Sequence, residues 1–228
     1  MSKIQDNFLL AINKSFAAYN KKGGARSSKK LVPIHKFLAE TVLSKLNKGF
    51  SIKSLGVGDS KEAVFIGKYY PKKLDITVLK NNKIVATISF KFITSNYKQN
   101  ANNYFEQLMG EAANIRRRNI GFAHFVVFRG ETPYFSKNKN NLRGKEIKTE
   151  IIKEKDLQKY IKLFKDLDFP HKPDLLGICL LDFDKNKKSK VINSKNFDFS
   201  NETKEFLKNE FSLDKFLEKF IHLVNLKS

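Results

Sequence analysis

The sequence predicts an α/β (α+β) chain, with a mixed central β-sheet flanked by helices. Three observations carry that prediction. Short apolar runs with strand spacing, LDITVL, IVATISFKF and HFVVF, alternate with longer stretches whose apolar residues recur at helical spacing. An Asn-Asn pair at 81–82 separates two of the runs as a hairpin does. Over residues 33–130 the order is helix, strand, strand, strand, helix, strand, which suits a sheet covered by helices.

Residues 1–20 carry an amphipathic pattern, and KKGGARSSKK at 21–30 is a basic linker with two glycines. Pro33 suits a first helical turn, and Phe37, Leu38, Val42, Leu43 and Leu46 give that helix, 33–48, its buried stripe. GVGDS at 56–60 is a turn, and strands are expected at 62–70, 74–79 and 84–92. A helix follows over 100–118, with Phe105, Leu108, Met109, Ala112 and Ile115 on one face. Next come a central strand at 124–128, a polar and basic stretch at 130–150 with a loop around SKNKNNLRGK, and a helix at 153–167. A buried strand at 175–184 and helices at 201–210 and 213–226, the last capped by Ser212, complete the chain. One domain is expected: a core at 33–130, an N-terminal helix and linker at 1–32, and additions at 131–228.

Hydrophobic residues make up 41% of the 228, enough for a sizeable core. The net charge of +21 draws the chain to polyanions, because cations that neutralise phosphates release condensed counterions. Nucleic acid is therefore the leading partner. An anionic membrane surface is the other polyanion, but no lipidation motif is present. The first sixteen residues, MSKIQDNFLLAINKSF, mix charges among apolar positions and fit neither a signal peptide nor a span, so the expected location is cytoplasmic, without a membrane partner. Cys179, the single cysteine, has apolar neighbours and reads as a buried structural residue. No Cys/His zinc pattern, phosphate-binding G-x-x-x-x-G-K-[ST] loop or G-x-S-x-G elbow occurs, and the four histidines have no tight ligand spacing.

The two hairpin strands fix a register. Leu74, Ile76 and Val78 share one face, and so do Ile84, Ala86, Ile88, Phe90 and Phe92. Both sets must meet one core, so even positions must pair with even positions. That demands a connection of odd length, such as three residues, or a bulge. The odd connection is expected here, since a simple Asn-Asn turn breaks the pattern. Asp75 then lies opposite or nearly opposite Ser89, beside Lys91, on the face away from the apolar layer. As a cross-strand ion pair alone, Asp75 and Lys91 would support the sheet by roughly 0.2–1 kcal/mol.

P71-K-K-L-D75-I-T-V followed by I-S89-F-K91-F resembles the PD-(D/E)xK nuclease motif, and the element order over 33–130 is similar to that superfamily's restriction-endonuclease-like αβββαβ core. The resemblance implies that Asp75 binds Mg2+, that Lys91 assists the attacking water, and that the Phe90 carbonyl is a further metal ligand. Ser89 departs from the pattern, standing where a carboxylate is expected. A subset of type II restriction endonucleases has Ser-x-Lys there and takes its second carboxylate from the following helix. In this chain that role falls to Glu106, placed ahead on its spacing from Lys91, or to Glu111, which flanks the apolar face more closely. Glu40, on the first core helix, is a third candidate, with Asp59 and Glu62 behind it.

Asn96, Lys98, Gln99, Asn100, Asn102 and Asn103 crowd the start of the second core helix. Amides there read base edges, or else cap helices and make turns. Arg116, Arg117 and Arg118 suit the negative end of that helix or grip phosphates. Lys137, Lys139, Arg143 and Lys145 form a second basic loop. The resemblance implies a Mg2+-dependent type II restriction endodeoxyribonuclease that cuts both strands of a short duplex site. A homodimer would match a palindromic site, with 201–226 as a candidate interface, and a companion methyltransferase is expected in the same system. The alternatives are a basic DNA- or RNA-binding protein without catalysis, and a repair or junction nuclease of the same fold.

Overall fold

The computed structural model describes residues 2–20, 27–137, 143–184, 186–192 and 196–228. Helix α1 (Lys3–Tyr19) and helix α2 (Val32–Leu43) precede strand β1 (Phe50–Ser54). Strands β2 (Ala63–Ile66) and β3 (Pro71–Leu74) form a small antiparallel sheet of their own. Strands β4 (Ile76–Lys80) and β5 (Lys83–Ile93) lead into helix α3 (Tyr97–Arg116) and strand β6 (Gly121–Arg129). Strands β7 (Glu131–Lys137) and β8 (Arg143–Ile151) make a second antiparallel pair, followed by helix α4 (Glu154–Lys165). Strands β9 (Leu175–Phe183) and β10 (Ser189–Val191) and helices α5 (Asn201–Glu205) and α6 (Leu213–Leu226) end the chain.

The central sheet has six strands in the order β1-β4-β5-β6-β9-β10. Its pairs are antiparallel except β5–β6 and β6–β9, which are parallel. Helices α1, α2 and α6 cover one face through Phe8, Ile12, Ile34, Leu38, Phe216 and Phe220, packed on Ile76, Ile88, Phe90 and Phe125. Helices α3 and α4 cover the other through Leu108, Ala112, Ile115, Leu157 and Tyr160, packed on Phe122, Val126, Phe128 and Ile178. Burying one such side chain contributes about 1.5–3 kcal/mol. The apolar face of α6 is thus used within its own chain. Cys179 is buried and structural, its thiol pushed up to about 12 by loss of solvent.

The helix-strand-strand-strand-helix-strand order is present as α2, β1, β4, β5, α3 and β6, but its first strand is not the one the sequence suggested. Segment 62–70 was expected to supply it; instead β2 and β3 are inserted between β1 and β4, and Phe50–Ser54 pairs with β4. The stretch at 130–150, read only as polar and basic with a loop around SKNKNNLRGK, contributes β7 and most of β8. Ser212 occupies the α6 N-cap without a side-chain bond, whereas the Ser200 hydroxyl caps α5 by accepting from Thr203 N. Of the linker, 21–26 lies outside the described residues, and Ser28–Lys30 forms a short 3-10 turn. Among the described residues no helix is long and apolar enough to cross a membrane.

The β4–β5 hairpin reaches the expected even-with-even pairing by the other route, although Leu74 and Ile84, expected on the same face as Ile76 and Ile88, pack in the opposite core. Asn81 and Asn82, at φ 49° and 63°, form a two-residue turn between the paired Lys80 and Lys83. Positive φ at both central positions is the type I′ geometry that asparagine tolerates. Leu79 then faces Ile84 while Val78 faces Ala86, so Val85 is an extra residue. This bulge shifts the phase by one and gives the even-with-even pairs Ile76–Ile88 and Val78–Ala86.

Candidate nuclease site

Asp75 is the single residue between β3 and β4, the point where the chain passes from the small sheet to the large one. Two contacts fix it there. The buried Ser54 hydroxyl donates to the Asp75 carbonyl at 2.9 Å, and the Phe90 N–H donates to Asp75 Oδ2 at 2.8 Å. In an antiparallel strand the N–H and C=O of one residue project toward the same neighbour. The Phe90 carbonyl therefore projects toward the Asp75 side of β5.

Ser89 and Lys91 alternate with the core residues Ile88 and Phe90 and face α3. Ser89 Oγ donates to Glu111 Oε2 at 2.9 Å. The other Glu111 oxygen, Oε1, is held by the Lys72 ammonium. Lys72 shares a face of β3 with Leu74, which belongs to the core beneath α3. Glu111 stands one residue before Ala112 and four before Ile115, on the flank of the buried helical stripe.

The charges act on one another. Burial raises the Asp75 carboxyl to about 6; the Phe90 N–H works against this, Glu111 and Glu62 add to it, and Lys91 opposes it. Glu111 behaves in the opposite way: burial pushes it up, but Lys72's charge and hydrogen bond, with help from His124 and Ser89, together outweigh burial, and it ends below the usual carboxylate range. Burial lowers the Lys72 ammonium, yet Glu111 more than reverses that and holds it above the ordinary lysine value. His124 lies next to Ser89 on the parallel strand β6. It is buried and neutral, lowered to about 4 by desolvation against the pull of Glu111.

Asn114 builds the scaffold behind this cluster. Its Oδ1 accepts from Tyr69 N at 2.8 Å and Tyr70 N at 3.2 Å, and its Nδ2 donates to Tyr70 O at 3.0 Å. This clasp holds the turn that leads into β3 and so sets Lys72 and Asp75. Gly67 is needed there, since a Cβ would sit 2.2 Å from Asn114 Nδ2.

Of the residues singled out in the sequence, Asp75, Ser89, Phe90, Lys91 and Glu111 come together. Glu106 does not. It is exposed, and its charge acts on Lys159 of α4. Five residues from Glu111, it is rotated about 140° around the helix. Glu40 is also elsewhere, exposed and 3.7 Å from Lys36 on the far face of α2. Asp59 pairs with Lys61 at the surface, while Glu62 is near enough to raise Asp75. Lys72, His124 and Asn114 were not singled out. The one signal for Lys72 was its two-residue spacing from Leu74, visible only once PKKL is read as a strand.

Asn96 adopts φ 54°, its N–H meets the Tyr134 hydroxyl at 2.5 Å, and its carbonyl accepts from Asn100 Nδ2 at 3.0 Å. Both asparagines are thus used in the turn before α3. Lys98, Gln99, Asn102 and Asn103 are exposed. Arg116 is built into the fold: it meets Asp174 at 2.7 Å, donates to the Lys172 carbonyl at 2.7 Å and stacks on Phe169. Arg117 and Arg118 are exposed, and the length of α3, about 30 Å, separates them from Asn96. Lys139 lies outside the described residues, as do the side chains of Lys137 and Arg143; Lys145 is exposed.

Asp75, Glu111 and the Phe90 carbonyl make a hard, oxygen-only donor set. Among the described residues no group of three or more His, Cys, Asp or Glu side chains could hold a metal ion. Mg2+ suits such a sparse set, since it commonly takes one or two carboxylates and keeps several waters. A carboxylate raised by burial, and further by its acidic neighbours, is also one that a cation would relieve. No protein-family model matches the chain, and no curated protein matches it in sequence.

Proposed function

We propose that the chain is a Mg2+-dependent endodeoxyribonuclease of the PD-(D/E)xK kind, most similar to type II restriction enzymes with a Ser-x-Lys motif. The observation that carries this reading is the convergence of Asp75 before β4, Lys91 of β5 and Glu111 of α3, with Ser89 holding Glu111 where a strand carboxylate would otherwise stand. Asp75, Glu111 and the Phe90 carbonyl would hold Mg2+, which when bound lowers the pKa of water and offsets phosphate charge. Lys91 orients the attacking water and stabilises the negative charge that builds on the phosphate oxygens. The water oxygen forms a new bond to phosphorus and releases a proton to solvent, one ester P–O bond breaks, and the departing oxygen takes a proton from solvent. Neutral His124 and buried Thr87 floor the site and restrict water beneath it.

The net charge of +21 supports duplex DNA as substrate. Exposed Lys98, Gln99, Asn102 and Asn103 are the groups free to face it. A homodimer on a palindromic site, and a companion methyltransferase acting separately, belong to the same proposal.

Incubation of the purified protein with phage DNA and Mg2+ tests it. Discrete, reproducible fragments are expected. A smear would point to a nonspecific, repair or junction nuclease, and intact DNA with a mobility shift would point to a binding protein.

A further inference from the structure

We infer that Lys72 is a resident counter-cation of the site, and that its ion pair with Glu111 opposes the loading of a divalent ion in the free protein. The inference rests on the metal-dependent reading above and deepens it. Both Glu111 oxygens are occupied, Oε2 by the Ser89 hydroxyl and Oε1 by the Lys72 ammonium. The pair is not a loose surface contact: the Glu111 side chain is 12% exposed and that of Lys72 30%. Leu74, 3% exposed on the same face of β3, anchors the strand that presents the lysine. Asp75 follows three residues later and feels the same ammonium.

A divalent ion shared by Asp75 and Glu111 must either displace that ammonium or sit beside it. Displacement breaks a partly buried pair, and coexistence sets two cations against each other at short range. In both cases Lys72 opposes metal binding in the free protein. A phosphate in the cleft changes the balance, because it offers the ammonium another anion. Metal and phosphate then strengthen each other's binding, and linkage makes the effect reciprocal. The site is thus biased to load metal when DNA is present, which protects against free-metal occupancy without DNA. Lys72 acts here as a positioning residue.

Calorimetric titration of Mg2+ into the free protein tests this, comparing wild type with Lys72→Met, Lys72→Gln and Asp75→Asn. Lys72→Met keeps the stem and removes the charge; it should tighten Mg2+ by about tenfold. Lys72→Gln should move affinity the same way by less, which keeps the test informative if the Met variant folds poorly. In a Lys91→Ala background a duplex oligonucleotide should strengthen Mg2+ binding, and by less once Lys72→Met is added. Unchanged or weaker Mg2+ binding in both Lys72 variants would overturn the inference. If Asp75→Asn still loses the ion in that case, the metal site itself stands. Absence of Mg2+ binding in every variant, with or without duplex, would overturn the metal-dependent reading and this inference together.

Discussion

Ser89 Oγ donates to Glu111 Oε2 at 2.9 Å, so a strand hydroxyl holds a helix carboxylate beside Asp75. Under the proposed function, that bond favours Glu111 over Glu106. Glu111→Gln should lower Mg2+-dependent cleavage by at least 100-fold, while Glu106→Gln should stay within about twofold of wild type, each measured as initial rate on one plasmid substrate. Equal losses in the two variants would remove Glu111 from the site.

Asp75→Ala and Lys91→Ala should each abolish cleavage yet retain duplex binding in Ca2+, read by mobility shift. Lys91 has no carboxylate partner in an ion pair among the described residues, so its removal breaks no direct ion pair, although it takes a favourable charge away from buried Asp75. A loss of DNA binding equal to the loss of cleavage would instead make the lysine a phosphate-gripping group.

Asn114 should matter although it touches no reacting atom. Asn114→Leu leaves the Tyr69 and Tyr70 N–H groups without their acceptor and takes one of two donors from the Tyr70 carbonyl, which keeps the Gly67 N–H. Unsatisfied buried groups cost about 1–3 kcal/mol each, so the variant should lose about 2–4 kcal/mol in urea unfolding. Cleavage should fall further than the folded fraction does, because the turn sets Lys72 and Asp75.

Much of this site was legible in the sequence because strand parity is a strict constraint. Once Ile76 and Ile88 had to face one core, Asp75 and Ser89 had to lie close together, whichever turn joined the strands. The bulge at Val85 was not legible, since KIVAT at 83–87 gives no sign of where an extra residue sits. Phe50–Ser54 was missed because five residues after a helix end carry little pattern. The ribbon β7–β8 was missed because five successive residues of β8, Lys145, Glu146, Ile147, Lys148 and Thr149, are all exposed and give no alternation. The choice between Glu106 and Glu111 turned on helical phase against β5, which spacing from Lys91 alone does not encode.

Asp75 should weaken the fold it serves. Its carboxyl is raised to about 6 by burial and by Glu111 and Glu62, so ionising it costs stability. A raised acid binds its proton more tightly in the folded state, so its contribution is fully present below the unfolded value near 3.8 and lost as pH rises through about 6. Asp75→Asn keeps an acceptor for the Phe90 N–H and removes the charge. Without metal it should be more stable than wild type at pH 7, by roughly 1–3 kcal/mol, with the gain shrinking toward pH 4. Saturating Mg2+ should narrow the gap by stabilising wild type alone.

His35 supplies a separate acid sensitivity, away from the site. It is fully buried in α2 beneath Phe90, and among the described residues neither ring nitrogen has a hydrogen-bond partner. Burial lowers it to about 4 from an ordinary 6.5. Between those values the unfolded chain binds a proton that the folded chain excludes, so stability falls as pH drops from about 6.5 through about 4. His35→Leu removes that term and a polar group without partners. The variant should match or exceed wild type at pH 7 and exceed it by about 1–3 kcal/mol more at pH 4.5. His124 titrates in the same window in both proteins, so the difference between their unfolding curves isolates His35. A constant difference from pH 7 to pH 4.5 would show that His35 finds a partner when it takes up its proton.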